Sequence, residues 1–308
     1  MSLKNRHLID TSDFSIEEIN AILDIAQDME KNYENYSQIC RGKILATLFF
    51  EPSTRTRLSF ESAMLRMGGN VLGFSDGETS SAKKGESVSD SIRVVSSYSD
   101  IMVMRHPKEG APRLSVPKAM VPLINGGDGG HQHPTQTLTD LLTIKNLKGE
   151  IANLSVAFCG DLKYGRTVHS LIKTLSRYPH MKFYLISPEQ LRLPDYIKES
   201  LSRKYNVSFV ETEDLESVIS EIDILYMTRI QKERFFNEED YIKLKDSYIL
   251  TRAKIANAKP DMLILHPLPR VNEIHPEVDD DPRAAYFEQA EYGVYVRMSL
   301  MAHLLGVV

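Results

Sequence analysis

The stretch Leu48–Met64, LFFEPSTRTRLSFESAM, decides how the rest of the chain is read. Its apolar start closes the run ILATLFF (44–50), whose β-branched and aromatic residues suit a strand buried on both faces. Glu51-Pro52 ends that run. Phe60, Met64 and Met67 then recur on one face, which predicts a helix over 54–67 stopped by Gly68-Gly69. Between strand and helix stand Ser53, Thr54, Arg55, Thr56 and Arg57. Backbone N–H groups at a helix start, joined by hydroxyls and a guanidinium, suit an anion. An N-cap serine beside solvated arginines fits the same letters. The Gly-x-x-x-x-Gly-Lys spacing of a nucleoside triphosphate loop is not present.

Outward from this junction the same alternation continues. Strand-like runs are NVLGF (70–74), IMVMR (101–105), VPLIN (121–125), LSVAFCG (154–160), MKFYLIS (181–187), DILYMTRI (223–230) and MLILHPL (262–268). Helical segments lie among them: SVSDSIRVVSSYS (87–99), TQTLTDLLTIKNL (135–147), TVHSLIKTLSR (167–177), SVISEI (217–222) and a closing helix from Tyr286. Upstream, Ser15 with Glu18 forms a capping box and Phe14 with Ile19 a hydrophobic staple, announcing a first helix. The Gly- and Ser-rich stretch SDGETSSAKKGES (75–87) reads as a mobile surface loop, and NGGDGGHQHPT (125–135) as a hinge or tight loop. Strands separated by helices imply parallel sheets covered on both faces, and 308 residues exceed one ordinary core. The fold class is therefore α/β, with two doubly wound parallel-sheet domains. Ligands of such folds sit at the carboxyl ends of strands.

Polar motifs fall at those ends. Arg105 follows the strand IMVM, where it suits an oxyanion clamp or an ordinary strand-end ion pair. His131 and His133 stand two apart without an accompanying acidic or thiolate set, so a metal is disfavoured. His133 with Gln136 could instead offer two hydrogen-bonding groups to one small substrate. GDLKYGR (160–166) occupies the place of a dinucleotide loop but lacks Gly-x-Gly-x-x-Gly, and it sets Asp161, Lys163 and Arg166 where a pyrophosphate would press on backbone. An NAD-linked oxidoreductase is the weaker reading. Arg229, Gln231 and Arg234 follow DILYM, and the prolines of HPLPR (266–270) fix a turn with exposed carbonyls. One such arginine is ordinarily structural; Arg55, Arg105, Arg166 and Arg229 together favour a ligand with several anionic groups.

Composition narrows the partners. A formal charge of −5 argues against a general nucleic-acid binder, so positive charge must be concentrated locally. No apolar run nears the roughly 20 residues of a membrane span, and MSLKNRHLID lacks a secretory apolar core. The two cysteines, Cys40 and Cys159, make neither a disulfide framework nor a four-thiolate zinc site; they suit buried packing in a reducing compartment. A cytoplasmic protein is expected.

In order along the chain, FEPSTRTRLSFE, KKGES, MRHP, QHPTQTLTDL, GDLKYGRTVHSL, DILYMTRIQKERF and HPLPRVNEI resemble the catalytic chains of the aspartate carbamoyltransferase family nearly end to end. The resemblance implies carbamoyl transfer from carbamoyl phosphate to the amino group of L-aspartate in pyrimidine biosynthesis, with no metal and no organic cofactor. It implies a carbamoyl-phosphate domain over 1–134, completed by a returning C-terminal helix (286–308), and an aspartate domain over 135–285. It implies a homotrimer with shared active sites, to which regulatory chains or a dihydroorotase could be added. By the same resemblance Ser53, Thr54, Arg55 and Thr56 hold the phosphate. Thr56, Arg105 and His133 polarise the carbonyl, while Gln136 with the carbonyls near Leu268 and Pro269 orients amide and amine. Arg166, Arg229 and Gln231 take the aspartate carboxylates. Ser80 and Lys84 reach in from the adjacent chain, and Glu51 pairs with arginines such as Arg166 and Arg234. Ornithine carbamoyltransferase is the alternative, but its His-Cys-Leu-Pro motif is here His266-Pro267-Leu268-Pro269, and Arg229 would repel a cationic acceptor.

Overall fold

The computed structural model describes residues 2–77, 85–230, 242 and 247–308. The chain divides into two compact units, Met1–Leu142 with Glu291–Val308, and Thr143–Ala290. Each is built on a sheet whose pairings among the described residues are all parallel.

The first unit opens with α1 (Ile16–Lys31), where the capping box forms as written. Ser15 Oγ accepts from Glu18 N at 3.2 Å, and Glu18 Oε2 accepts from Ser15 N at 2.8 Å. Then follow β1 (Ile44–Phe49), α2 (Thr54–Arg66), β2 (Asn70–Phe74), α3 (Val88–Ser96), β3 (Ile101–His106), α4 (Ala111–Ser115), β4 (Leu123–Asp128) and α5 (Pro134–Lys148). The sheet order is β2-β1-β3-β4. Ala46 and Leu48 of β1, Met102 and Met104 of β3 and Leu123 of β4 alternate onto one face, where Ile9 and Ile92 complete the cluster.

The second unit contains β5 (Ser155–Cys159), α6 (Arg166–Leu175), β6 (Lys182–Ile186), α7 (Asp195–Tyr205), β7 (Ser208–Thr212), β8 (Ile224–Met227) and β9 (Leu263–Leu265). Its order is β7-β6-β5-β8-β9. Ala157, Cys159, Leu225, Met227 and Ile264 form the centre of its core. The last helix, α8 (Tyr286–Leu305), ends within the first unit, as the resemblance implied.

Three expectations change. The glycine-dense NGGD is not loop but the end of β4: Asn125 Nδ2 donates to Asp128 Oδ1 at 2.9 Å and its Oδ1 accepts from Gly127 N at 2.8 Å. The polar side chains thus satisfy one another inside a buried strand. SVISEI forms only a 3-10 turn over Ile219–Glu221, because Ile219 and Ile222 must both reach the core just before β8 begins. Finally, the second sheet gains β7, an edge strand with three exposed residues that shows no apolar run in sequence.

Gly160 leaves β5 at φ +119°, and a Cβ there would lie 2.3 Å from the Thr228 carbonyl oxygen. That combines a left-handed backbone with a backbone clash. Gly160→Ala is expected to destabilise the protein by about 1–3 kcal/mol or more, read as a lowered urea midpoint. An unchanged midpoint would show that the β5–β8 junction tolerates the movement.

Candidate functional site

Both sheets reverse direction beside their first strand. The chain steps from β1 to β2 on one side, then places β3 on the other; it steps from β5 through β6 to β7, then places β8 on the opposite side of β5. At such a reversal the two flanking crossovers diverge, leaving the carboxyl ends of the central strands open to a ligand. Four arginines singled out in the sequence stand at these two places: Arg55 and Arg105 after β1 and at the end of β3, Arg166 and Arg229 after β5 and β8.

In the first unit, α2 begins at Thr54 with Ser53 in extended geometry and no side-chain cap. Ser53 therefore sits at the N-cap without acting as one. Arg57 N donates to Ser53 O at 3.2 Å, and the N–H groups of the first turn before it lead out of the helix start. No acidic residue occupies the first turn, whereas α1 carries Glu17 and Glu18 there. This end of α2 is thus a concentration of positive potential. Phe49 pairs with Arg105 in register, and Phe50 N donates to Arg105 O at 2.9 Å, bringing the β3 end beside it.

Arg105 is nearly buried. Its Nη1 donates to Gly126 O at 3.3 Å, and its Nε lies 3.0 Å from Glu51 Oε2, an ion contact outside hydrogen-bond alignment. Burial draws its guanidinium below the ordinary value; Glu51 opposes this and the charge of Arg55 adds to it. The resemblance implied that Glu51 pairs with arginines such as Arg166 and Arg234 as the domains close; in this structure Glu51 meets Arg105. Thr56 is buried against the same strand ends, its Cγ2 within 3.7 Å of where a Cβ on Gly126 would lie. At the last residue of β4, Asp128 Oδ1 accepts from Gln132 N at 3.1 Å and ties down the turn before His133. His133 is buried, with Nδ1 3.5 Å from Thr135 Oγ1, while exposed His131 turns its Nδ1 to Asp128 Oδ2 at 3.2 Å. The two histidines therefore serve different neighbours. Gln136 follows in the first turn of α5, donating from Nε2 to Asp140 Oδ1 at 2.7 Å.

In the second unit, α6 starts at Arg166 after Gly165, again with no side-chain cap and no acidic first turn. The loop before it is fixed by Asp161, whose N–H donates to Thr228 Oγ1 at 3.0 Å and whose Oδ1 accepts from Tyr164 N at 2.9 Å. Thr228 Oγ1 in turn donates to Cys159 O at 3.2 Å, so β5 and β8 are bolted together directly before Arg229. After β9, Leu268 at φ +52° and the cis bond to Pro269 form the turn of HPLPR. His266 Nδ1 accepts from Leu268 N at 2.8 Å, which leaves its Nε2–H to donate to Glu273 Oε1 at 2.7 Å. Glu273 Oε2 accepts from Val271 N at 3.0 Å and Asn272 N at 3.1 Å.

Ser80, Lys84, Gln231 and Arg234 lie outside the described residues. Glu273 and Thr228 were not anticipated as supports: each acquires its role only when a distant strand or turn folds against it. Among the described residues no group of three or more His, Cys, Asp or Glu is arranged to hold a metal.

Residues 6–146 match the family model "Aspartate/ornithine carbamoyltransferase, carbamoyl-P binding domain", and residues 152–304 match its "Asp/Orn binding domain". The aspartate carbamoyltransferase catalytic subunit of Alkaliphilus metalliredigens is 67% identical, over 100% of this chain and 99% of its own. That of Clostridium kluyveri is 63% identical over 99% of each. The catalytic subunit of M. jannaschii aspartate transcarbamoylase superposes with a TM-score of 0.91 at 51% identity, covering 98% of both chains. Aspartate transcarbamoylase from Trypanosoma cruzi, solved with carbamoyl phosphate and aspartate, gives 0.92 at 39% identity, also over 98% of both.

The His266–Glu273 pair makes a pH-dependent contribution with a defined sign. Burial alone would raise the Glu273 carboxyl, but the His266 hydrogen bond and the backbone N–H groups hold it below its ordinary value. Its contribution is therefore present above the unfolded-state value and lost as pH falls through the depressed folded one. The stability gap between the protein and Glu273→Gln should narrow steadily from about pH 6 to pH 3 in urea titrations. A gap that stays constant would show that Glu273 has no such role.

Proposed function

The chain belongs to the aspartate/ornithine carbamoyltransferase family, and from that premise we propose how its residues carry the carbamoyl group of carbamoyl phosphate to the amino group of L-aspartate. The products are N-carbamoyl-L-aspartate and phosphate. The observation that carries the reading is the pair of sheet reversals, each with an uncapped helix start and two arginines.

Carbamoyl phosphate suits the first unit. Its phosphate accepts from the N–H groups and hydroxyls of Ser53–Thr56 at the start of α2 and from the Arg55 guanidinium. Arg105, Thr56 and His133 donate toward the carbonyl oxygen, where negative charge develops as the amine attacks. The C–N bond forms, the bond from the carbonyl carbon to the bridging oxygen breaks with its electron pair passing to the phosphate, and the proton lost by the attacking amine is taken up by that departing phosphate, which remains in its cradle. Gln136 addresses the carbamoyl NH2. Aspartate suits the second unit, where Arg166 and Arg229, with Gln231, face its two carboxylates and the carbonyls at Leu268 and Pro269 accept from its amine. Ornithine fits poorly, since its side-chain ammonium would meet Arg229. This chemistry is orientation and charge stabilisation, for which the assigned side chains suffice.

Assembly as a homotrimer, with Ser80 and Lys84 completing the neighbouring chain's site, follows from the same family reading, as does a cytoplasmic location. No described helix is long and apolar enough to cross a membrane.

Two experiments test the assignment. Arg229→Ala should raise the aspartate requirement steeply, at a cost of about 2–5 kcal/mol in kcat/KM, with carbamoyl-phosphate binding retained. Unchanged aspartate saturation would remove Arg229 from the site. For the shared site, Arg55→Ala and Lys84→Ala chains should each be nearly inactive, yet unfolded and refolded together in equal amounts they should recover toward about one quarter of native activity. Trimeric hybrids as inactive as their parents would confine Lys84 to its own chain.

A further inference from the structure

Asp140 and Arg297 are fully charged residue types at the centre of the first unit, and the reaction as assigned uses neither. Asp140 is 0% exposed and Arg297 4% exposed. A buried carboxylate keeps its charge only beside an opposing one. Asp140 is the charge that acts on Arg297; burial draws that guanidinium down to about 10, and Asp140 opposes the shift. The arginine is fixed by its surroundings. Its Nη1 donates to Gly293 O at 2.7 Å, and the guanidinium carbon lies 5.2 Å from the centre of the Phe60 ring. Gly293 makes the space for it: a Cβ there would come within 2.3 Å of Arg297 Nη1 and 3.4 Å of Thr139 Oγ1. Residues of three helices, α2, α5 and α8, thus surround one buried cation, and Asp140 on α5 is the carboxylate whose charge favours it.

What the carboxylate does is visible one turn earlier on α5. Gln136 donates from Nε2 to Asp140 Oδ1 at 2.7 Å. An ionised carboxylate only accepts, so it admits one orientation of the glutamine amide. With its NH2 engaged by Asp140, the amide keeps its oxygen, an acceptor, to offer to a ligand. An acceptor matches the NH2 donors of a carbamoyl group; a second NH2 would not.

We propose that Asp140, with Arg297 as its buried counter-ion, is a positioning residue that locks the Gln136 amide with its oxygen offered to the substrate, so that the site selects a carbamoyl over an acyl phosphate. The inference rests on the assignment of Gln136 above. Its specific consequence is that Asp140 matters for substrates with an N–H2 to offer and is indifferent to those without.

The test compares carbamoyl phosphate with acetyl phosphate, which keeps the phosphate and carbonyl but carries a methyl group in place of NH2. Asp140→Asn is close in shape and lets the glutamine amide turn either way. It should lower kcat/KM for carbamoyl phosphate by about tenfold or more, the scale of a lost charge-assisted hydrogen bond. Acetyl phosphate, measured as a competitor of carbamoyl phosphate, should bind within about twofold of its original strength, since it makes no use of that bond. In a Gln136→Ala background the same substitution should cost nothing further. Arg297→Met should follow Asp140→Asn, and Arg297→Lys should restore the preference. Equal losses for both phosphates, or losses of Asp140→Asn and Gln136→Ala that add, would overturn the inference alone. Original constants in Gln136→Ala would overturn the assignment of Gln136, and this inference with it.

Discussion

A right-handed crossover lays each parallel strand beside the last in a fixed sense, so β3 can reach the far side of β1 only if the chain reverses its progress along the sheet. The second unit meets the same constraint when β8 lands beside β5. The candidate site residues Arg55, Arg105, Arg166 and Arg229 all stand at those two reversals. The reversals leave strand ends uncovered at the one place in each sheet where backbone termini, helix starts and loops from different parts of the sequence converge. Residues as far apart as Arg55 and Arg105 thereby come to influence one another's charge.

Such placement works against stability. Helices α2 and α6 forgo side-chain caps worth about 1 kcal/mol each. Arg105 is buried against one carboxylate and one carbonyl that compensate it only in part. The offset lies directly beneath, in alternating apolar residues such as Ala46, Leu48, Met102 and Met104 of one sheet and Ala157, Leu225 and Ile264 of the other. The polar ends and apolar middles of the same strands are thus two halves of one arrangement, in which an apolar sheet carries a charged rim.

Much of this was legible in the letters, and the exceptions share a cause. Fully buried strands announce themselves because both faces are apolar, and α1 announces itself because its cap is local: Ser15 and Glu18 need only each other. Strand β7 was missed because an edge strand has little to bury. The end of β4 was mistaken for a loop because Asn125 and Asp128 are polar in sequence and satisfied only in three dimensions. Candidate site residues divide the same way. Arginines after strands are conspicuous, whereas Glu273, Thr228 and Asp140 read as ordinary until the turn, strand or side chain they bond to is in place. Strand order itself has no local signature at all.

The two cysteines fall one to each unit, Cys40 in the first and Cys159 in the second, both buried and unpaired with any disulfide partner. Burial pushes the Cys40 thiol up to about 11 and the Cys159 thiol higher still, so neither offers thiolate to an electrophile while its surroundings stay closed. Cys159 is the last residue of β5, and its carbonyl receives both the backbone N–H and the hydroxyl of Thr228. A maleimide or a disulfide reagent therefore meets a chain that is inert as folded and becomes reactive through opening. Each unit carries its own internal clock for such events, and in the second the alarm is wired to the junction of β5 and β8.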